Sequence, residues 1–379
     1  MILPMKKLFI LLVIGYSASA YAQFKPVDSI KWDKQILVNN IPPFTDAGKV
    51  PEAGGTSGRF HGRYGSQYAR LLQIKNGSWL AGYTVSRNNG YKNDPKGGLE
   101  LEIAVSTDNC RTWKAISTIT DHGRDLDNAQ LIELADGSIL LACRSVRWQE
   151  SYVLPVYKST DKGKSWKRIS VIDETHGKPG ELGKPDKGIY EPHMYFLNDG
   201  RLSVMYANEK HVVETPSYSQ IISQKISPDL GNTWGKEIWV VYETGHNASR
   251  PGMPVWTKMN NGKYIVVYEI CGPESCNIYY KTSDDGYNWP VGLGTNIPDQ
   301  LGGPYILSLK SGALVVTSNK SQVSISNDYG VTWKTVDPAW PKTLWPAIYE
   351  ITVNEVGVVN SAQRPEGGNN IQIRLGKAE

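Results

Sequence analysis

The stretch Ser159-Thr-Asp-Lys-Gly-Lys-Ser-Trp166 is one of five copies of a motif that decides the fold. The pattern is Ser/Thr-x-Asp-x-Gly-x-Thr-Trp, with Cys110 replacing the glycine in the first copy and Asn288 replacing the threonine in the fourth. In such a turn the aspartate accepts backbone N–H bonds, the glycine adopts a positive φ and the tryptophan packs between neighbouring sheets. The copies lie 44 to 68 residues apart, which indicates a repeat protein, and they end at Trp113, Trp166, Trp234, Trp289 and Trp333.

A second repeat alternates with the first and consists of an apolar strand, a turn containing glycine and another apolar strand. Asn-Gly and Asp-Gly turns between apolar runs are the strongest short-range signal for a β-hairpin. The first five hairpins are each followed by a tryptophan motif, so two hairpins form one four-stranded unit. The turn glycines are Gly77, Gly137, Gly200, Gly262, Gly312 and Gly357.

Six units of this kind predict an all-β fold, a six-bladed β-propeller that forms a single domain over residues 23–379. The last unit lacks the tryptophan motif, and we expect a strand near Gln35–Val38 to pair with it and close the ring. A β-sandwich or two separate β domains is the alternative, which the regular spacing disfavours.

The beginning of the chain has the features of a secretory signal peptide: Lys6 and Lys7, the apolar run LFILLVIG, and Ala-Tyr-Ala at 20–22. The sequence therefore predicts that residues 1–22 are removed and that the mature protein is secreted or periplasmic. The apolar run is shorter than the roughly 20 residues of a membrane span, so we expect no membrane anchor. The net charge of +4 comes without basic blocks, which argues against nucleic acid as a partner. We expect a monomer.

The four cysteines indicate disulfide chemistry rather than a metal site. Cys271 and Cys276 flank a short Gly-Pro-Glu-Ser segment and are predicted to form a disulfide in an exported protein. Zinc would need further histidine or cysteine residues at ligand spacing, and none are present. We therefore expect no metal, and the absence of a phosphate-binding or dinucleotide-binding fingerprint predicts no cofactor. The sequence leaves open whether Cys110 and Cys143 pair.

The hairpin repeats allow equivalent positions to be compared within the chain. Each hairpin is antiparallel, so the start of its first strand lies beside the end of its second strand, and both open at the same mouth of the ring. The positions nine residues before the first five turn glycines are Tyr68, Asn128, Glu191, Met253 and Gly303. The positions seven residues after the same glycines are Thr84, Arg144, Ala207, Glu269 and Asn319.

Glu191 and Glu269 are each the single acid in their set, and they come from neighbouring units. A charged residue at the end of the apolar strand before Glu269 is costly to bury unless it has a function. Two such carboxyl groups are what glycoside hydrolysis requires: one protonates the leaving oxygen, and the other attacks the anomeric carbon or activates water. We therefore predict Glu191 and Glu269 to be catalytic; exposed strand-end acids are the alternative for either residue alone.

Further side chains near the mouth are predicted to bind substrate. Aromatic rings suit sugar faces and polar groups suit sugar hydroxyls, although each aromatic residue has packing between sheets as its alternative and Arg250 has a structural ion pair. The predicted substrate-binding residues are Tyr68, Asp127, Asn128, Arg144, Tyr190, Arg250, Tyr268 and Trp345.

The tryptophan motif resembles the Asp-box of sialidase-type propellers. Three segments in the middle of the chain, 190–192, 250–254 and 268–272, resemble the glycoside hydrolase family 93 exo-arabinanases more closely. The resemblance implies a six-bladed propeller that retains configuration and releases arabinobiose from α-1,5-L-arabinan, a plant cell-wall polysaccharide, or from its oligosaccharides. It also implies that Glu191 and Glu269 are the catalytic pair, without deciding which is the nucleophile.

Two other functions remain in view. A sialidase needs an arginine cluster, but Gln67 occupies the place of its first arginine and Ala69 that of the following proline. Arg144, Arg250 and Arg364 still offer a basic site, so the sialidase alternative is weakened only. A carbohydrate-binding propeller without catalysis is the second alternative, and the paired glutamates argue against it, because neutral amides and aromatic rings suit a lectin better.

Overall fold

The computed structural model describes residues 26–39, 65–86, 91, 95–364 and 368–379. The predicted signal peptide at residues 1–22 lies outside this range. The described residues form twenty-four β-strands and one short 3-10 helix, so the predicted all-β class is confirmed. No helix in these ranges has the length and apolar character needed to cross a bilayer.

Twenty-four strands follow one another along the described part of the chain. They are β1 Ile30–Leu37, β2 Gly65–Gln73, β3 Trp79–Ser86, β4 Glu100–Ser106, β5 Lys114–Ile119, β6 Asp125–Glu133, β7 Ile139–Arg147, β8 Ser151–Ser159, β9 Lys167–His176, β10 Ile189–Phe196, β11 Leu202–Asn208, β12 Ile221–Ser227, β13 Ile238–Val241, β14 Arg250–Lys258, β15 Tyr264–Cys271, β16 Ser275–Ser283, β17 Thr295–Leu301, β18 Tyr305–Ser308, β19 Leu314–Thr317, β20 Val323–Ser326, β21 Lys334–Val336, β22 Ala347–Thr352, β23 Glu355–Gln363 and β24 Asn369–Ala378. The 3-10 helix, Lys210–Val213, follows β11.

Sequential antiparallel pairing builds the sheets. Strands β6–β9, β10–β13, β14–β17 and β18–β21 form four sheets of four strands each, and an eight-stranded sheet has the order β22-β23-β24-β2-β3-β4-β5 with β1 paired to β24. A single parallel pair, Gly65 with Asn369, joins the two halves of the larger sheet. The strand predicted near Gln35–Val38 does pair with the last strand, where Gln35 lies opposite Arg374. The six-blade count itself stays a prediction, because the Gly65–Asn369 pair merges two four-stranded groups into one sheet.

The cores lie between neighbouring groups of strands. The first strands contact one another in the order β2, β6, β10, β14, β18 and β22, and β22 contacts β2 in turn. Between the first two groups, Leu80 and Ile103 pack in one cluster with Leu131 and Leu141, and Trp166 covers this cluster. The other four motif tryptophans likewise pack against core clusters. Burying these apolar side chains from water on both faces of each sheet is what holds successive sheets together.

Side chains from three different sheets lie close to one another inside the ring of first strands. The guanidinium of Arg70 lies 3.9 Å from the ring centre of Tyr68 and 5.2 Å from that of Tyr305. The ring of His193, from a third sheet, lies 6.2 Å from Tyr305. Burial, together with the charge of Arg70, lowers the pKa of His193 to about 3, so this histidine is a neutral packing residue. These side chains therefore pack together inside the ring.

The tryptophan motif forms the turn that the sequence predicts. Asp161 accepts N–H bonds from Lys164 and Ser165 at 3.1 and 2.9 Å, and Gly163 has φ +86°. In the fourth copy the pattern aligns Asp284 with the other aspartates, but Asp285 makes these bonds. Its Oδ1 accepts N–H bonds from residues 287 and 288 at 3.0 and 2.8 Å. This turn is one residue shorter than the others, because its glycine follows the bonded aspartate directly.

The pair Asp284 and Asp285 offers a matched test of the turn. Asp285→Ala should lower the free energy of unfolding by about 0.5–1.5 kcal/mol, because the turn loses the hydrogen bonds that this carboxylate accepts. Asp284→Ala should cost less than about 0.5 kcal/mol, because that side chain is 82% exposed and forms a surface ion pair with Lys263. Urea unfolding of both variants measures the difference. Equal losses would show that the turn does not depend on this aspartate.

Candidate active site

The mouth is the end of the sheets at which first strands begin and second strands end. Among the described residues, the six positions that open the first strands share a left-handed backbone, with φ between +50° and +57°. In four sheets the strand register shifts at this position, and such bulges re-aim a side chain. Left-handed backbone costs a non-glycine residue about 1–2 kcal/mol, and strain of this kind gathers at functional sites. The six residues are Tyr68, Asn128, Glu191, Met253, Gly303 and Trp345.

A cavity of about 310 Å³, which we call the acid pocket, lies at the mouth between the sheets that begin with β6, β10 and β14. Both predicted catalytic residues line it. Its described lining is Arg144, Trp148, Asp186, Tyr190, Glu191, Glu209, Gln220, Arg250, Glu269 and Cys271.

Glu191 lies at the left-handed position of β10 and points across to the next sheet. Its Oε2 accepts the N–H of Met253 at 2.9 Å. Burial within the protein, reinforced by the negative charge of Glu269, raises the pKa of Glu191 to about 7. At neutral pH this carboxyl group therefore holds a proton in a substantial fraction of molecules.

Glu269 lies near the end of β15, where it faces Glu191. Its Oε2 accepts the N–H of Gly303 at 2.7 Å. Gly302 and Gly303 have φ of +65° and +56°, a backbone that glycine adopts without strain and that turns this N–H towards the carboxylate. Burial also raises the pKa of Glu269, while the Gly303 N–H bond opposes that rise.

The two carboxyl groups flank one small space beside Gly252. A Cβ atom at Gly252 would lie 3.7 Å from Glu191 Oε2 and 3.8 Å from Glu269 Oε1. The two oxygens are therefore less than twice 3.8 Å apart. That separation is compatible with a pair acting on a single glycosidic bond, for which carboxyl separations of roughly 5–9.5 Å are typical.

Gly252→Ala should lower kcat/KM by about 10- to 100-fold, because it adds a methyl group between the carboxyl groups and disturbs their geometry. The new Cβ would lie 2.7 Å from Gln220 Nε2, which donates to Pro251 O, so Gln220 must also move. Steady-state kinetics and a thermal melt measure the effect. Unchanged kinetics in a folded variant would show that substrate does not occupy this space.

Two arginines in the acid pocket are held by carboxylates. Arg144 Nη2 donates to Asp127 Oδ2 at 3.2 Å in a buried pair, and its Nε has no hydrogen-bond partner in the described part of the chain. Arg250 Nη2 donates to Glu209 Oε1 and to Gln220 Oε1. These pairs make each arginine a fixed donor at the pocket wall.

Sequence reasoning missed several residues of the acid pocket. Glu209 accepts the hydroxyl hydrogen of Tyr190 at 2.9 Å, besides the bond from Arg250, and so fixes both side chains. It lies two residues beyond the compared position Ala207, where the strand has ended. Asp186 and the similarly missed Trp148 come from connections between strands, which carry no repeat signal.

The remaining predicted binding residues divide into two groups. Tyr68, Asn128 and Trp345 belong to the left-handed ring, and the rings of Tyr68 and Trp345 are 5.9 Å apart. Tyr268 differs: it is fully buried, and its hydroxyl donates to Leu293 O at 2.8 Å. Because side chains alternate along a strand, the residue beside Glu269 points away from the pocket, so Tyr268 is corrected to a packing residue.

The cysteines fall into a bonded pair and two buried thiols. Cys271 and Cys276 form a disulfide, while Cys110 and Cys143 are free. Of the described residues, only Glu269, Cys271 and Cys276 form a group of three whose metal-ligating atom types all lie within 4.8 Å of one another. The disulfide leaves neither sulfur as a thiolate, the form in which cysteine binds metals.

The arginines do not gather as a sialidase site requires. Arg364 lines a separate cavity of about 760 Å³ beside Trp340 and Asn360. Within the described residues, the acid pocket therefore has only Arg144 and Arg250, each bound to a carboxylate.

The sequence matches no protein-family model and no curated protein sequence. Solved structures do resemble it. An α-L-arabinanase of Penicillium chrysogenum complexed with arabinobiose is similar over 91% of this chain and 98% of its own, with a TM-score of 0.73 and 22% identity. A family 93 α-L-arabinofuranosidase of Fusarium graminearum with arabinobiose is similar over 93% and 98%, with a TM-score of 0.71 and 21% identity.

Sialidases are also similar, at lower scores. The NanB sialidase of Streptococcus pneumoniae is similar over 90% of this chain and 70% of its own, with a TM-score of 0.60 and 12% identity. In fold, the chain is thus similar to glycoside hydrolase family 93 structures, as the sequence motifs predict, and less closely to sialidases.

Proposed function

We propose that this protein is a glycoside hydrolase that cleaves arabinan with Glu191 and Glu269. The observation that carries the proposal is the pair itself: two carboxyl groups from neighbouring sheets face one space in the acid pocket, and burial raises the pKa of both. Groups with such shifted pKa values inside a cavity are candidates for acid–base catalysis. The likeness in fold to two enzymes solved with arabinobiose supports arabinan as the substrate.

We infer that the fold is a six-bladed propeller in one domain. The eight-stranded sheet then counts as two blades, since only one residue pair joins its halves. The closed order of contacts among the first strands supports this count. The signal peptide at 1–22, and with it secretion or a periplasmic location, belongs to the same proposal, as does the monomeric state.

Glu191 is assigned as the acid and base, and Glu269 as the nucleophile. When two close carboxyl groups share a pocket, the first to ionise keeps the proton on the other. Burial, reinforced by the charge of Glu269, raises the pKa of Glu191 to about 7, which suits a proton donor at neutral pH. Glu269, held by the N–H of Gly303, then carries the negative charge.

The reaction proceeds in two balanced steps. Glu191 gives its proton to the glycosidic oxygen as the bond from that oxygen to the anomeric carbon breaks, and Glu269 forms a glycosyl ester with that carbon. Glu191, now ionised, takes a proton from water, whose oxygen attacks the anomeric carbon and releases the carboxylate of Glu269. Two displacements retain the anomeric configuration. Exo action with release of arabinobiose follows from the family resemblance.

Product analysis tests the proposal. The protein is incubated with linear α-1,5-arabinan, an aryl α-L-arabinofuranoside and a sialoside. The products are identified by chromatography, and their anomeric configuration is read by proton NMR early in the reaction. Arabinobiose with retained configuration is expected. Free sialic acid would instead establish a sialidase, and binding of arabinan without any turnover would establish a carbohydrate-binding protein.

A further inference from the structure

The Cys271–Cys276 disulfide lies directly beside the Glu269 carboxylate. Cys271 ends β15 two residues after Glu269, lines the acid pocket, and has its Sγ 3.5 Å from Glu269 Oε1. The partner sulfur belongs to Cys276, at the start of β16, so the bridge closes the end of this hairpin. Both cysteines are partly exposed, which makes the bridge accessible to small reductants.

A second connection runs from the disulfide to the other oxygen of Glu269. Cys276 has a left-handed backbone, with φ +66°, and its carbonyl accepts the N–H of Gly302 at 2.9 Å. The next N–H, of Gly303, donates to Glu269 Oε2 at 2.7 Å. The segment that carries this donor is therefore hydrogen-bonded to the backbone of Cys276 on one side, and Asn319 N donates to Gly302 O on the other.

We propose that the Cys271–Cys276 disulfide positions the Glu269 carboxylate and that the reaction therefore requires the oxidised protein. The inference rests on the proposed function and extends it from the acids to the bridge. One oxygen of Glu269 contacts the bridge directly, and the other is bound by a backbone segment that the bridge fixes. Reduction replaces the bridge with two thiols, frees the backbone of Cys276 and places an S–H donor beside Glu269. Dithiothreitol supplies the two electrons and two protons and becomes its cyclic disulfide.

Two perturbations of the full chain test the proposal. Cys271→Ala/Cys276→Ala removes the bridge without adding a hydrogen-bond donor, and dithiothreitol with EDTA reduces the bridge in the wild-type protein. EDTA prevents metal binding by the released thiols. Each sample is assayed for kcat, KM and the pH profile on linear arabinan, and its folding is followed by a thermal melt. Glu269→Gln is measured in parallel.

We expect the double variant to remain folded with a kcat lowered by about 10- to 100-fold, the scale of a small displacement of a catalytic group. KM should change less than about threefold, and the acidic limb of the pH profile should move to higher pH as the Gly303 bond weakens. Dithiothreitol should reproduce the loss in the wild type, reoxidation should restore activity, and the double variant should not respond to either. If the variant does not fold, the reduced wild type provides the same comparison.

A lower melting temperature with unchanged kcat and pH profile would overturn the proposal, since the bridge would then only stabilise the hairpin. Full activity of Glu269→Gln would overturn the proposed function, and the positioning role with it. If Glu269→Gln loses activity while the double cysteine variant remains fully active, the role of the disulfide is rejected and the proposed function still stands.

Discussion

Glu191→Gln and Glu269→Gln should each lower kcat on linear arabinan by about 10²- to 10⁴-fold, the range for removing a positioned acid or base. Glutamine keeps the shape of the side chain and an acceptor oxygen for the N–H groups of Met253 and Gly303. It cannot donate an acidic proton or attack carbon. Kinetics of purified variants, together with calorimetric binding of an arabino-oligosaccharide, separate lost chemistry from lost binding.

Glu133 serves as a control, because it lies at the end of β6 that is remote from the mouth. Glu133 accepts the backbone N–H of Lys75 beside a hairpin turn, so Glu133→Gln should keep wild-type activity. An aryl arabinofuranoside with a very good leaving group separates the two roles. It needs no proton donor for its first step, so Glu191→Gln should keep much of its kcat/KM for this substrate, while Glu269→Gln should not; kcat/KM is compared because Glu191 still serves as the base of the second step. The reverse result would exchange the two assignments, and full activity of both variants on arabinan would reject the pair.

The activity should fall by about tenfold per pH unit above the pKa of Glu191, which is about 7. The sign follows from its role: the acid must be protonated, and the protonated fraction falls as the pH rises through this pKa. On the acidic side, Glu269 must be ionised. Because burial raises its pKa, the acidic limb should lie above the ordinary pKa of a glutamate. A profile of kcat/KM from about pH 4 to about 9 measures both limbs.

The electrostatic interaction between Glu191 and Glu269 provides a second test within the pH profile of kcat/KM. The charge of Glu269 contributes to the raised pKa of Glu191, so Glu269→Gln should move the basic limb of the residual activity to lower pH. A basic limb that stays in place in this variant would mean that the two carboxyl groups do not sense each other. A wild-type limb above about pH 9 would exclude Glu191 as the acid.

The internal repeats explain why the two catalytic candidates, Glu191 and Glu269, could be predicted from the sequence. Counting from the turn glycines superposed five hairpins without any relative, and the five positions found nine residues before those glycines all have left-handed φ in the structure. Hairpin pairing fixes which strand ends meet, so Glu191 and Glu269 were expected at one mouth. The structure places both in the acid pocket.

Pocket residues that lie outside the repeats could not be predicted in this way. Glu209 and Asp186 reach the acid pocket from segments whose length differs between units, so counting does not align them. The turn with Asp285 is one residue shorter than its equivalents, which the shared pattern concealed. Tyr268 was misjudged for another reason: its neighbour in the strand faces the mouth, and alternation sends the tyrosine to the core.

The contacts among Arg70, His193 and Tyr305 bear on how substrate enters the site and how product leaves it. These residues come from three sheets and lie close to one another inside the ring. On the proposed function, a released fragment that does not pass between these side chains leaves through the mouth by which the polymer enters. We therefore expect the released fragment and the incoming polymer to compete for the mouth, so that accumulated fragment slows turnover.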